Sequence, residues 1–164
     1  MGIITAICIS EKKGTAKREV GQAEIIVQHG IKGDAHAASS GDVQSISLRS
    51  RLAETHAHAG NGHRQISLLS LQKIQAFREK GAQVNYGDFG ENLVIDGIDL
   101  SALPVGTKLR SGKVLLEVSQ IGKECHNRCA IYHTMGDCIM PREGVFAVVL
   151  EGGTIKTGDK IYVE

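Results

Sequence analysis

The stretch Gln65-Ile66-Ser67-Leu68-Leu69-Ser70-Leu71-Gln72-Lys73-Ile74-Gln75-Ala76-Phe77-Arg78-Glu79-Lys80-Gly81 decides how this chain is to be read. Residues 65–69 form a short apolar run of strand length. Ser70 is a favourable helix N-cap, Leu71, Ile74 and Phe77 then fall on one helical face, and Gly81 ends the periodic pattern. A strand running directly into a helix belongs to α+β folds or to a barrel carrying a helix.

Outward from this stretch the pattern is one of short strands. Apolar runs at residues 3–9, 23–28, 43–48, 92–95, 108–110, 114–119, 145–151 and 160–163 are separated by Gly and Asp turn signals, and several are rich in β-branched residues. The 20 glycines against 2 prolines favour tight turns and bent strands over stiff linkers. The expected fold is mainly β, a closed or half-open barrel with one or two short helices, since closure removes exposed strand edges. Residues 49–63 have weak periodicity and carry Gly60-Asn61-Gly62 near their end, which reads as a surface excursion with room for a short helical turn. Its His56, His58 and His63 lie on a polar loop with no Cys or carboxylate at ligand spacing, and solvation is the reading that fits them.

Length and charge narrow the function. A chain of 164 residues matches one ordinary domain, expected over residues 1–164, with a core that needs no disulfide staples. Nineteen basic and 18 acidic side chains give a net charge of +1, so there is no field to draw nucleic acid or an anionic membrane. The N-terminal run lacks a basic n-region and turns charged at Glu11-Lys12-Lys13, and no apolar run approaches a membrane span, so a cytoplasmic location is expected.

The chemistry concentrates at Gly122-Lys123-Glu124-Cys125-His126-Asn127-Arg128-Cys129 and on through Gly136-Asp137-Cys138 to Arg142. Three of the four cysteines lie within fourteen positions, with Lys123, His126, Arg128, His133 and Arg142 interleaved. A thiol reacts or binds metal as thiolate, and nearby cations favour that form. Cys8, alone in an apolar run, reads instead as a small buried hydrophobe. In a reducing compartment the cluster points to metal binding or thiol chemistry and away from a disulfide framework. The spacing Cys125-x3-Cys129-x8-Cys138 is not the usual zinc knuckle, yet with a histidine these thiols could hold zinc or an iron–sulfur centre.

Two glycine-bearing motifs add to this. Gly30-Ile31-Lys32-Gly33-Asp34-Ala35-His36 follows a strand and Gly87-Asp88-Phe89-Gly90-Glu91-Asn92-Leu93 precedes one; neither has dinucleotide-fold or P-loop spacing. Taken in order with Arg64 to Leu69, with Val118-Ser119-Gln120 leading to Cys125, and with the closing residues 153–161, these blocks resemble the MOSC domain, the family named for the C-terminal domain of molybdenum cofactor sulfurase. The resemblance spans nearly the whole chain and points to a stand-alone member of bacterial type. It implies a barrel-like domain that binds molybdenum cofactor, a pterin with a dithiolene and a phosphate. One family cysteine is held either to carry sulfur as a persulfide or, in members that reduce N-hydroxylated compounds, to ligate molybdenum, and by motif position it is Cys125.

On that resemblance Lys32, Asp34, His36, Arg64, Glu91, Asn92 and Arg142 are the candidate cofactor-binding residues, with Lys32, Arg64, Arg142 and the glycine-turn amides as donors to the phosphate. Cys129 and Cys138 exceed the family pattern, and with Cys125 they are the candidate metal ligands or resolving thiols. The implied partners are the molybdenum cofactor or its biosynthetic enzymes and a separate sulfur or electron donor. Nothing resembling an aminotransferase-like sulfurase half is present, so pyridoxal phosphate attaches to the family label alone. Three readings stand: a cofactor-binding sulfur carrier, a small molybdenum oxidoreductase, and a zinc-stabilised binding module.

Overall fold

The computed structural model describes residues 1–13, 15–35, 37, 61–125 and 128–164. The expected strand at 43–48 and His36, His56, His58 and His126 lie outside them. Eleven strands are described: β1 (Gly2–Ile9), β2 (Arg18–Val20), β3 (Gln22–Ile26), β4 (Gly30–Ile31), β5 (Ile66–Ser70), β6 (Leu93–Asp96), β7 (Lys108–Ser111), β8 (Val114–Ile121), β9 (Val145–Glu151), β10 (Gly153–Lys156) and β11 (Lys160–Val163). The helices are α1 (Leu71–Glu79), α2 (Ala130–Met135) and α3 (Met140–Glu143), with short 3-10 turns at Asn61–His63 and Leu100–Ala102.

Strands β11, β7, β8, β9, β5, β6 and β1 pair in that order, and β11 returns to pair with β1. The seven strands therefore close a barrel, with β2 appended to the outside of the circuit on β1. Every pairing in the circuit is antiparallel except β5 with β6, and that parallel step is where α1 makes the crossover. A separate three-stranded sheet, β10-β3-β4, contributes Ile25, Ile31 and Ile155 to the barrel core.

Alternation along each strand sorts side chains between two cores. Ile66 and Leu68 of β5, Leu93 and Ile95 of β6, and Val145, Ala147 and Val149 of β9 point into the barrel. Leu69, Val94 and Phe146 from the same strands point outward and join Leu71, Ile74 and Phe77 of α1. That covering explains why β5 is buried on both faces, and the Phe77 and Phe89 rings meet edge to face at 5.4 Å. In β1 strict alternation fails: Ile4 faces in, Ala6 out, Ile7 in and Cys8 out, and the register against β6 shifts between Ile4 and Ala6. The bulge resets the parity so that both halves of β1 serve both cores.

The barrel interior is full. The cavity between Ile4, Leu93, Leu109, Leu116 and Ile161 holds about 10 Å³, the lower bound for one water molecule and far below any organic ligand. Ser70 differs from its expected role. Its backbone ends β5 with no side-chain cap on α1; the hydroxyl instead donates to the Ile98 carbonyl at 2.8 Å and accepts from Leu100 N–H at 2.9 Å, tying the 3-10 turn to the helix start. Strands β2, β4 and β10 were not anticipated, because two to four residues carry too little alternation to register as a pattern. Among the described residues no helix is long and apolar enough to cross a membrane.

Leu68→Ala should destabilise the protein by about 2–5 kcal/mol, since Leu68 is fully buried in a core with no slack to collapse into. Ile3→Ala, at a position 42% exposed, should stay within roughly 0.5 kcal/mol. Urea unfolding of both variants measures the difference.

Candidate functional site

On the outer face of the barrel the cysteine segment is fastened at both ends. Gly122 donates to the Gly144 carbonyl at 2.6 Å and Lys123 to the Pro141 carbonyl at 3.1 Å, so the start of the segment lies against α3. Gly122 has φ +71, and a Cβ there would stand 2.5 Å from the Pro141 carbonyl oxygen, so only glycine admits this approach. Gly136, in the left-handed region at φ 72, ends α2 and turns the chain back. Asp137 then accepts the Cys138 N–H at 2.8 Å and forms a two-pronged pair with Arg142 at 2.8 and 3.0 Å. That Arg142 fork holds the Asp137 carboxyl down at about 2.

The three thiols of this segment differ in surroundings. Cys125 and Cys129 are exposed, whereas Cys138 is buried beside Ile139, Met140 and Phe146 with Ile131, Tyr132 and Met135 packed around it. Burial pushes the Cys138 thiol up to about 11, with further contributions from Cys129 and Cys125 and a side-chain hydrogen bond to Cys129. Cys8 is fully buried, and burial followed by the Glu91 charge raises its thiol to about 12, as expected of an inert core residue. Among the described residues no three His, Cys, Asp or Glu side chains are grouped to hold a metal ion.

Arg64 reaches the foot of this segment through Gln120. The Gln120 carbonyl oxygen accepts from Arg64 Nε at 3.1 Å and meets His63 Nε2 at 2.6 Å, and its amide donates to the Gly122 carbonyl at 2.7 Å. An amide oxygen only accepts, so the proton of His63 sits on Nε2. The Arg64 guanidinium lies 5.5 Å from the centre of the Phe146 ring, and among the described residues its two terminal nitrogens make no hydrogen bond. Packing and one bond fix an arginine whose terminal nitrogens make no hydrogen bond to a described residue. Gln120 is the second-last residue of β8, the strand that leads to Cys125, but nothing in the sequence marks it as the joint between Arg64 and the cysteine segment.

The other candidates serve the framework. Asp34 is buried; one oxygen accepts from Lys17 Nζ and the other from the Ser10 N–H, each at 3.1 Å. Lys17 is equally buried, and desolvation lowers its pKa against the pull of Asp34. Glu91 is fully buried and accepts the N–H groups of Gly87 at 2.7 Å and Phe89 at 3.1 Å, closing the glycine turn on itself. Asn92 joins three strands: its oxygen accepts from Ser67 N–H and Oγ, and its amide donates to the Cys8 carbonyl at 3.0 Å. Lys32 is exposed and paired with Glu24 at 3.1 Å. Ser67 stands opposite Phe146 in the β5–β9 ladder, so the Asn92 network and the Arg64–Gln120–Gly122 relay are neighbours across two strands.

The order of these parts along the chain matches a known family. The family profile of the MOSC domain matches residues 55–162. The chain belongs to the MOSC domain family. Its fold is that of solved structures at identities that speak for the fold alone. YuaD of Bacillus subtilis is 19% identical with a TM-score of 0.71, covering 98% of this chain and 94% of that one. YiiM of Geobacillus stearothermophilus is 18% identical with a TM-score of 0.67, covering 100% and 75%. YiiM of Escherichia coli is 16% identical with a TM-score of 0.62, covering 100% and 70%. A comparison with curated proteins gave no match. In this MOSC domain the glycine turn at residues 87–90 has its amides occupied by a buried glutamate, at Gly87 and Phe89, and these two are not open to an anion.

Glu91 gives the domain a titratable element of stability. Burial raises its carboxyl from 4.5 to about 7 against the opposing N–H donors. An acid whose folded pKa is raised stabilises the fold fully below its unfolded pKa and loses that contribution as pH rises through the folded value. Between pH 4.5 and about 7 the wild type should therefore lose a component of unfolding free energy that Glu91→Gln does not lose. Urea unfolding across that range checks it; parallel profiles for the two proteins would contradict the assignment.

Proposed function

We propose that this MOSC domain binds molybdenum cofactor on the outer face of its barrel and carries sulfur as a persulfide on Cys125. The observation that carries the reading is the exposure of Cys125 on a segment fastened to α3 at Gly122 and Lys123, with Arg64 tied to the same segment through Gln120. A carrier thiol must be reachable and its position held; a core thiol such as Cys8 is neither reachable nor reactive.

The donor set suits the cofactor. An exposed thiol is a soft ligand for a sulfur-bound metal, and an arginine whose terminal nitrogens bond to none of the described residues suits a phosphate. Arg64 is the anchor we assign to the phosphate, because Lys32, Asp34, Glu91, Asn92 and Arg142 are engaged by protein partners. The cofactor, when bound, supplies a metal centre already coordinated by sulfur. The protein's own step is loading. The Cys125 thiolate attacks the outer sulfur of a persulfide donor, a new S–S bond forms at Cys125, the donor's S–S bond breaks, and the donor departs as its thiolate.

Treatment with a low-molecular-weight persulfide should add one sulfur atom to the intact mass of the wild type and none at this site in Cys125→Ser, with thermal unfolding unchanged for so exposed a position. Arg64→Ala should weaken retention of molybdenum cofactor by roughly tenfold or more, one charge-assisted hydrogen bond being worth about 1.5–3 kcal/mol. Full sulfur loading and full molybdenum retention in Cys125→Ser would refute the assignment. Turnover of an N-hydroxylated base with an electron donor would favour the oxidoreductase reading.

A further inference from the structure

Resting on the assignment of Arg64 to the cofactor phosphate, we propose that Gln120 is a positioning residue, turned outward by a bulge in β8, that fixes this arginine against the cysteine segment. The register of β8 on β9 carries the argument. Val118 stands opposite Ala147, and both side chains enter the barrel core. Strict alternation would send residue 120 inward as well and residue 121 outward. Instead the register shifts between Val118 and Gln120, so that Gln120 stands opposite Phe146 and Ile121 opposite Val145. Phe146 belongs to the outer core and Val145 to the barrel; Gln120 accordingly faces outward, and Ile121 packs on the barrel core. One extra residue, Ser119, has re-aimed an amide that would otherwise enter an apolar interior.

The bulge brings two side chains onto the segment that carries Arg64. The Ser119 hydroxyl donates to the His63 carbonyl, while the Gln120 oxygen accepts from His63 Nε2 at 2.6 Å and from Arg64 Nε at 3.1 Å. Phe146, the cross-strand neighbour of Gln120, has its ring centre 5.5 Å from the guanidinium. Arg64 is therefore held by two side chains that face each other in one ladder. With Nε on Gln120, the phosphate contact falls to the terminal nitrogens. The Gln120 amide also donates to the Gly122 carbonyl at 2.7 Å, and the Gly122 N–H is bonded to the Gly144 carbonyl at 2.6 Å. One side chain thus ties the arginine and the foot of the thiol segment to a common point. Without it the long Arg64 side chain would have to be ordered at the moment of binding, which lowers affinity.

The test measures molybdenum-cofactor affinity and the rate at which a low-molecular-weight persulfide loads Cys125, in Arg64→Ala, Gln120→Met and the double variant. Methionine keeps the length of the side chain and removes both of its hydrogen-bonding ends. Gln120→Met should weaken cofactor affinity about tenfold, the effect of one hydrogen bond to a charged group. Loading by the small persulfide should be unchanged, since Cys125 is exposed and Gly122 and Lys123 keep their bonds to α3. Added to Arg64→Ala, Gln120→Met should weaken binding by less than ~twofold more, because an effect exerted through Arg64 disappears with Arg64. Gln120→Asn, one methylene too short to reach both Arg64 and Gly122, should weaken affinity in the same way and replaces Gln120→Met in the cycle if methionine lowers the melting temperature. Wild-type cofactor affinity in Arg64→Ala overturns the assignment of the phosphate to Arg64 and the positioning role with it. Weakened binding in Arg64→Ala but in neither Gln120 variant, full additivity in the double variant, or loading that slows in step with affinity overturns the positioning role alone.

Discussion

The pairing of β11 with β1 is the constraint on which the rest depends. It closes seven strands into a ring, removes both edges of the sheet, and makes every inward side chain part of one filled core. With about 10 Å³ free inside, the barrel is a wall and not a container. On the outer surface α1, the glycine turn at 87–90 and the cysteine segment share the second core.

On that surface charge is divided between framework and function by burial. Asp34, Lys17 and Glu91 are withdrawn from solvent and satisfied by one another or by backbone N–H groups. Removing one partner of such a buried pair leaves an uncompensated charge, which is why these residues hold loops in place so strongly. Asn92 does the same with neutral bonds among β1, β5 and the start of β6. Cys125 and Cys129 are exposed, and Arg64 is positioned by Gln120 and Phe146 beside the Gly122 contact with α3.

Strands β9 and β11 and the helix were legible from apolar runs set off by turn residues: residues 145–151 and 160–163 are strands at the expected bounds, and the Leu71, Ile74 and Phe77 face is buried as its spacing implies. The glycine motifs were legible as motifs but not in their roles. An Asp or Glu beside glycine has the same sequence appearance whether it binds a ligand or closes its own turn, and only the distances to Gly87, Phe89, Ser10 and Lys17 separate the two. Lys17 could not have been found at all, since in sequence it is one cation in a run of charged residues and its burial arises from tertiary packing. The left-handed turn at Gly136 that ends α2 ahead of Cys138 is likewise a backbone angle that residue spacing does not show.

Cofactor and sulfur are proposed to meet on the outside of the barrel at Cys125. The most direct measurement is a crystal structure of the protein loaded with molybdenum cofactor, with the metal located by its anomalous scattering. The account predicts the molybdenum beside the Cys125 sulfur on the outer face, with the pterin phosphate at the Arg64 guanidinium. Molybdenum at the far end of the barrel, or on a surface remote from the cysteine segment, would contradict it.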